Sequence, residues 1–475
     1  MRKGAGEPIR KKTAAFITLG CKINQYETEA IREEVLELGY EEVSPADRAD
    51  VYVVNTCAVT ATAGVKSRKY VQRAARTNPN ARIVVVGCST AAEKQEIARI
   101  PQVAFLAGNE EKAMVSSFLD GGWKPGEPFA DRDRDIMSLN ISRYRDRTRA
   151  TIKVQDGCNN FCSFCIIPHL RGLSKSRHID AVEEEVRRLV DNGFVEIVLS
   201  GVHLQDYGLD LEVEGPVTLV ELLRRLGSVQ GLRRIRLSSL GPKAFGPELA
   251  DVLENPVFCR HWHIPIQAGT DHVLERMRRG YTLAQYRRAL ELLRQRFDDP
   301  AITTDVIVGH PGETEDRFEA SLKVYRELGF AKIHVFPFSS REGTLAAKFQ
   351  DKVDPLEIRR RARVLGEIEA ESGSAYRQRF VARAVEILVE GTSRRDPEHL
   401  EGLTDRYLRV TFPAPSPFAV DRFPGTFQTV RTQEVTPDGL RGEWDAGEGA
   451  RGREGERAKD IWSSSSIPRS GDGSQ

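Results

Sequence analysis

The residues best placed to do chemistry are cysteines. Cys158, Cys162 and Cys165 stand in C-x3-C-x2-C spacing within Gly157-Cys158-Asn159-Asn160-Phe161-Cys162-Ser163-Phe164-Cys165. Three thiolates on one short loop can hold three irons of a [4Fe–4S] cube and leave the fourth iron open to a small molecule. A structural zinc site needs a fourth protein ligand, which this loop does not supply. Cys21, Cys57 and Cys88 lie far apart in the chain, and their intervals match no local metal motif. Each, however, follows a run that reads as a strand: Leu19-Gly20-Cys21, Asn55-Thr56-Cys57 and Gly87-Cys88. The ends of parallel strands share one edge of a sheet, so these three thiolates can converge on one site. Cys259 has no partner and reads as packing.

Positioning these groups takes several elements. At ~150 residues per domain, the chain of 475 residues predicts about three domains. Thr13 to Glu127 alternates short apolar strands (Ala14–Thr18, Val51–Val54, Arg82–Val86) with helical patterns such as Ile31, Val35 and Leu38, which predicts a parallel α/β sheet. A Gly-, Pro- and Asp-rich stretch, Gly121 to Asp135, reads as a linker. Arg143, Arg145, Arg147 and Arg149 then alternate with other residues, as a solvated edge or a phosphate-contacting strap. From Thr151 to about Arg341, six β/α units are expected, with strands at Thr151–Gln155, Glu196–Gly201, Arg234–Ser239, His261–Gln267, Thr303–Gly309 and Lys332–Phe338. They predict an open barrel with its active groups at the C-terminal strand ends. The clearest helix runs from Asp180 to Asn192, with Asp180 as cap, Glu183 completing a box and Val182, Val186 and Leu189 as the stripe. A charged helix, Pro355 to Ala375, leads to strands at Val385–Val389, Tyr407–Phe412 and Thr426–Val430, a small β-barrel. Residues 445–475 hold little to bury and read as disordered.

Lys plus Arg number 70 and Asp plus Glu 69, a net charge of +1 that excludes a histone-like polycation or an acidic solvating chain. No run approaches the ~20 apolar residues of a membrane span. The basic start with Thr13 to Gly20 behind it is too short and threonine-rich for a secretory signal. The expected location is therefore the cytoplasm, where cysteines serve metals or catalysis before disulfides.

The triplet loop, in its β/α setting, resembles the radical S-adenosylmethionine superfamily. The run Leu19-Gly20-Cys21-Lys22-Ile23-Asn24-Gln25-Tyr26-Glu27-Thr28-Glu29, with Asn55-Thr56-Cys57, Gly87-Cys88 and the triplet, resembles the radical methylthiotransferases. Further matches are Gly201-Val202-His203, His263-Ile264-Pro265-Ile266-Gln267, Arg276 to Thr282 and Asp305 to Thr314; Gly402-Leu403-Thr404-Asp405-Arg406-Tyr407 is similar to a TRAM signature. The resemblance implies an α/β chain in four parts: an N-terminal cluster domain (13–127), an open six-unit partial TIM barrel (144–375), a small OB-like TRAM β-barrel (378–444) and the tail. Lys22 to Glu29 and Gly201-Val202-His203 resemble the branch that modifies N6-threonylcarbamoyladenosine beside the tRNA anticodon; the other branches modify N6-isopentenyladenosine in tRNA or an aspartate of a ribosomal protein. Ser89-Thr90, Ala92, Gly241 and His310, which stands where a Phe is usual, depart from the family pattern.

What the resemblance implies for chemistry is a two-stage reaction with two [4Fe–4S] clusters. Cys158, Cys162 and Cys165 would hold the cluster that cleaves S-adenosylmethionine to a 5′-deoxyadenosyl radical. Cys21, Cys57 and Cys88 would hold the cluster that delivers a methylated sulfur to C2 of the adenine. Phe164 would lie near the cofactor's adenine, and Gly201, Gln267 and Gly309 would permit or make cofactor contacts. The partners implied are tRNA through its anticodon loop, a reductant such as flavodoxin or ferredoxin, and a sulfur donor. Arg171, Lys175, Arg177, Arg276, Arg278 and Arg279 are candidates for substrate phosphates, each also readable as an ordinary turn or helix face. Tyr407, Arg409 and Phe412 suit single-stranded RNA, because aromatics stack bases and arginine neutralises phosphate. An iron–sulfur electron carrier would need neither barrel, and a scaffold with decayed catalysis would not retain six ligands.

Overall fold

Two-sided burial dictates the first sheet. The computed structural model describes residues 10–89, 91–124, 135–145, 147–211, 217–414 and 422–445. β1 (Thr13–Thr18), α1 (Lys22–Glu37), β2 (Glu41–Glu42), β3 (Val51–Thr56), α2 (Ala61–Thr77), β4 (Arg82–Gly87), α3 (Ala91–Ala98), β5 (Val103–Leu106) and α4 (Val115–Asp120) follow in order. All pairings in the sheet β2-β1-β3-β4-β5 are parallel. β3 is buried along its whole length, which is why Val51 to Val54 read as one apolar run. In this strand order the crevice opens at the C-terminal ends of the strands, beside β1 and β3. Ile31 and Val35 are buried on α1, but Leu38 is its half-exposed cap, because the helix stops one residue short of the predicted stripe. Most of the predicted linker, residues 125–134, and all but the first residue of the predicted tail lie outside the described residues.

Six parallel strands and one short antiparallel pair, β7 with β8, form the middle unit. β6 (Ala150–Lys153), β7 (Gln155–Asp156), α5 (Ile167–Arg171), β8 (Lys175–Ser176), α6 (Ile179–Asp191), β9 (Glu196–Ser200), α7 (Leu219–Leu226), β10 (Arg234–Leu237), α8 (Pro247–Leu253), β11 (His261–His263), α9 (Asp271–Arg276), α10 (Leu283–Arg296), β12 (Ala301–Val308), α11 (Glu315–Leu328) and β13 (Lys332–Pro337) make it up. The orders β6-β9-β10 and β11-β12-β13 are joined by a bridge between Ile235 and Phe258 and by the Leu240 N–H, which donates to His263 O at 3.0 Å. This is the open six-unit barrel. α1 runs beside its edge strand β6, and its Tyr26 and Ala30 share one core with Ala150 and Ile152. α6 begins one residue earlier than predicted. His178 is the cap, accepting from the Asp180 N–H at 3.4 Å, while Glu183 turns outward to Arg187 and Arg225. Pro265 cannot donate to a ladder, so β11 stops at His263, and Gln267 rejoins through a bridge to Val306.

α12 (Pro355–Gln378) leads to β14 (Ala384–Thr392), β15 (His399–Thr404), β16 (Arg409–Pro413), β17 (Phe427–Thr436) and β18 (Gly439–Trp444). These close in the order β14-β15-β16-β18-β17. The strand predicted to begin at Tyr407 begins at Arg409, because Tyr407 sits in a turn at φ +63°. That turn docks on the open barrel. Arg236 donates to the Thr404 and Asp405 carbonyls (2.6 and 3.0 Å), and Arg234 donates to Leu403 O (3.1 Å). Among the described residues no helix is long and apolar enough to cross a membrane.

Candidate active site

The first thiol trio is built by three adjacent strand ends. Cys21 follows β1 and caps α1, Cys57 follows β3, and Cys88 follows β4. Gly20, at φ +103°, has no room for a side chain: a Cβ there would lie 2.9 Å from Cys57 Sγ. Asn24 ties two of the loops together, its Nδ2 donating to Leu19 O (2.7 Å) and Thr56 O (2.9 Å). Thr56 Oγ1 donates to Val86 O (2.8 Å), which ties in the third. Burial pushes the Cys57 thiol up, and its neighbours Cys88 and Cys21 push the same way. A buried thiol beside two more calls for a cation to deprotonate it, which is the chemistry of a metal-cluster donor set.

The second trio sits on one loop after β7. Gly157, at φ +66°, would drive a Cβ to within 1.9 Å of Leu173 O; as glycine it lets Cys158 N–H reach Gly172 O at 3.2 Å. Ser163 is held at both ends, its N–H donating to Met277 O (3.0 Å) and its carbonyl accepting from Ala346 N–H (2.7 Å). Burial pushes Cys165 up to about 11, with Cys162 and Cys158 adding to it. Among the described residues, His263, Asp305 and His334 are the group whose ligand atoms all lie within 4.8 Å of one another.

The expected cofactor contacts divide. Phe164 meets His310 edge-on at 6.4 Å. Gln267 sits at φ +66° and keeps a buried Oε1 without a hydrogen-bond partner among the described residues, an acceptor left for a guest. The absent Cβ of Gly201 leaves room for Gln155, whose Oε1 accepts from His203 N–H at 2.8 Å. Gly309 answers to packing: Ile358 of α12 fills the place of a Cβ, and Glu313 Oε2 takes its N–H at 2.6 Å. His310 is buried, its Nε2 3.1 Å from Ser163 Oγ, and burial lowers its imidazole to about 4. It is therefore a neutral aromatic in the Phe position, which explains why the departure is tolerated.

The arginines expected on RNA are corrected by their burial. Arg171 is inside, between Asp156 (2.8 Å) and Glu27 (3.2 Å), with Nη2 on Asn24 Oδ1 at 2.5 Å. Arg177 is inside as well, paired with Glu185 and donating to the Tyr26 hydroxyl at 2.9 Å. Neither reaches a phosphate; both carry charge across the seam between α1 and the barrel. Glu27 is the hub of that seam. Burial works against its charge, but Arg171, Lys112 and Lys153 hold its carboxyl well below the usual range. Arg279 turns inward too, its Nη1 donating to Cys162 Sγ at 3.4 Å, and Arg276 pairs with Asp351 at 2.6 Å. Tyr407 is exposed (39%), but one face of its ring is taken by His261, which stacks on it at 4.9 Å beside the start of β11. Phe412 is core. Arg409 pairs with Glu401 and lines a groove of about 670 Å³ in which Arg147, Arg394, Arg395 and Arg441 stand beside Glu390, Asp396 and Asp438. Of the predicted strap, Arg145 pairs with Glu42 and Arg149 with Glu390 (2.5 Å); of the other two, Arg143 and Arg147, Arg147 lines the groove.

Asn109 links the first trio to the helix that follows the second. α5 starts two residues after Cys165, and its Leu170 carbonyl accepts from Asn109 Nδ2 (2.8 Å), which also lies 3.6 Å from Cys88 Sγ. Asn160 reaches His203 Nε2 at 2.9 Å. On the lumen wall His263 Nε2 lies 3.2 Å from Asp305 Oδ2, and its Nδ1 lies 2.9 Å from Thr303 Oγ1. The sequence reading missed this wall and the Glu27 hub. The signal for the wall was there: His261, His263, Thr303 and Asp305 sit at alternate positions of neighbouring strands, hence on one face.

Comparison with known proteins gives the class, a radical S-adenosylmethionine enzyme. Residues 152–325 match the family described as the Radical SAM superfamily, and residues 13–108 match Uncharacterized protein family UPF0004. The threonylcarbamoyladenosine tRNA methylthiotransferase MtaB of Bacillus subtilis is 39% identical, over 84% of this chain and 90% of its own length. The protein of that name from Thermotoga maritima is 33% identical over 90% and 96%. A tRNA-2-methylthio-N(6)-dimethylallyladenosine synthase from Moorella thermoacetica is 33% identical over 85% and 93%. Among solved structures, the radical S-adenosylmethionine methyltransferase TsrM of Kitasatospora setae shares the fold, with a TM-score of 0.51 and 16% identity over 69% of this chain and 75% of that one. The chain belongs to the MtaB-type family of radical S-adenosylmethionine tRNA methylthiotransferases. S-adenosylmethionine and an iron–sulfur cluster are the cofactors of that class.

Proposed function

We propose that this protein places a methylthio group on C2 of N6-threonylcarbamoyladenosine beside the tRNA anticodon. Cys158, Cys162 and Cys165 would hold the [4Fe–4S] cluster that binds S-adenosylmethionine, and Cys21, Cys57 and Cys88 a second. When bound, these groups supply one-electron cleavage of the sulfonium, hydrogen abstraction and a sulfur to transfer. The observation that carries the reading is the seam itself. Asn109 touches Cys88 and the helix that leaves the other cysteine loop, which supports the two trios serving one site.

The chain's own residues do the rest. Asn24 fixes the loops of Cys21 and Cys57, and Arg171 fixes Asn24. Arg279 places a guanidinium beside Cys162, where it offsets the charge of a thiolate. Gln267 offers its unpaired Oε1 to the cofactor. The groove around Arg147, Arg409 and Arg441 offers cations to a tRNA backbone. A small reductant such as flavodoxin or ferredoxin and a sulfur donor complete the cycle, in the cytoplasm.

Mass spectrometry of tRNA nucleosides from a strain lacking the gene is the test. Loss of 2-methylthio-N6-threonylcarbamoyladenosine is expected. Loss of the isopentenyl counterpart, or of a methylthiolated ribosomal aspartate, would reassign the substrate. Anaerobic reconstitution should load both trios, and Cys162→Ala should abolish 5′-deoxyadenosine formation while the other cluster's spectrum remains. Iron sufficient for one cluster only would remove the second.

A further inference from the structure

The proposed substrate differs from its isopentenyl counterpart in one decisive way. Its N6 group ends in a carboxylate, whereas the isopentenyl group is apolar. A site that selects it must offer a cation near the adenine, and burying an unpaired carboxylate without one is costly.

The structure offers one candidate. Lys22 follows Cys21 directly, so its Cα lies about 3.8 Å from that of a cluster-holding residue. Lys22 is exposed, and its Nζ lies 5.9 Å from the centroid of the Tyr407 ring, itself exposed. Lys22 has no ion pair among the described residues. Neighbouring cations are engaged: Lys112 and Lys153 are buried on Glu27, Arg149 pairs with Glu390, and Arg236 pairs with Glu196 at 2.7 Å. Glu196, an acid beside this group, is shared by Arg149, Arg234 and Arg236. Positive charge is thus in excess around Tyr407. His261, stacked on Tyr407, keeps a buried Nδ1 without a hydrogen-bond partner among the described residues, a polar atom left for a guest.

Resting on the substrate reading above, we propose that Lys22, with Tyr407 as floor, forms a carboxylate-binding subsite that reads the threonyl end of the modified adenosine. Lys22 is a substrate-binding residue, and its ammonium selects the charged N6 group over an apolar one.

The test is equilibrium binding to the reconstituted enzyme, without reductant, of anticodon stem-loop RNAs. Four probes carry N6-threonylcarbamoyladenosine, its methyl ester, N6-isopentenyladenosine or plain adenosine. Wild type should prefer the free acid to the ester by about tenfold or more, the worth of a charge-assisted hydrogen bond. Lys22→Met should abolish that preference and leave the affinity for plain RNA unchanged, whereas Lys22→Arg should keep part of it. Iron content checks that each variant retains its clusters; if Lys22→Met does not, Lys22→Gln takes its place. An acid-over-ester preference that survives removal of the ammonium overturns this inference and leaves the substrate reading intact. A wild type that binds isopentenyl RNA as tightly as the threonylcarbamoyl RNA overturns the substrate reading itself.

Discussion

His310 shows how one side chain ties stability to pH. Burial holds its imidazole near 4, against 6.5 when free. The unfolded chain therefore takes up a proton below pH 6.5 that the folded chain refuses until about pH 4. Its contribution is complete above 6.5 and is lost as pH falls towards 4, by up to about 3 kcal/mol. His310→Phe should flatten that part of the melting-temperature profile between pH 7 and 5; an unaltered profile would refute the assignment. Asn24 acts locally as well. Its Nδ2 donates to the carbonyls of both Leu19 and Thr56, so Asn24→Ala frees two cluster loops at once. The variant should fold, bind less iron at the N-terminal trio and keep the loop trio intact, as iron analysis and absorption spectra would show.

At the scale of elements, each thiol is delivered by a strand that stops on time. Gly157 is where the loop turns back under Leu173. Gly157→Ala adds a methyl where there is no space and a left-handed backbone besides, so the loop must shift. The expected outcome is loss of 5′-deoxyadenosine formation with the N-terminal cluster retained; normal cofactor cleavage would show that the turn tolerates a side chain. β11 ends early for a comparable reason. Pro265 breaks the ladder, and the freed chain presents Gln267 at φ +66° with its Oε1 unpaired.

For the whole molecule, the seam between the first sheet and the open barrel is charged and buried. Glu27 meets Lys112, Lys153 and Arg171, all shielded from water. Removing one partner from such a network strands the others, a cost of about 3–5 kcal/mol. Glu27→Ala should therefore lower unfolding stability by that order in denaturant titration and impair both clusters together; a near-neutral variant would mean that the seam rearranges. Affinity for tRNA should fall steeply as salt rises, because the groove around Arg147 and Arg409 works through counterion release. An affinity insensitive to salt would place the RNA elsewhere.

Local signals determined much of this protein. The spacing of Cys158, Cys162 and Cys165, the β-branched runs of β1, β3 and β4, and the six strand–helix alternations were all readable, because each depends on neighbours a few residues away. The partners of charged side chains were not. Arg171 and Arg177 read as surface cations from their own stretch of chain, yet Glu27, Asn24 and Tyr26 arrive from far away and draw them inside. Tyr407 read as a surface base-stacker; it is exposed, and its stack on His261 was not readable from its own stretch of chain. Whether a charge serves a ligand or a seam depends on which distant carboxylate folding brings to it, and only the tertiary structure decides that.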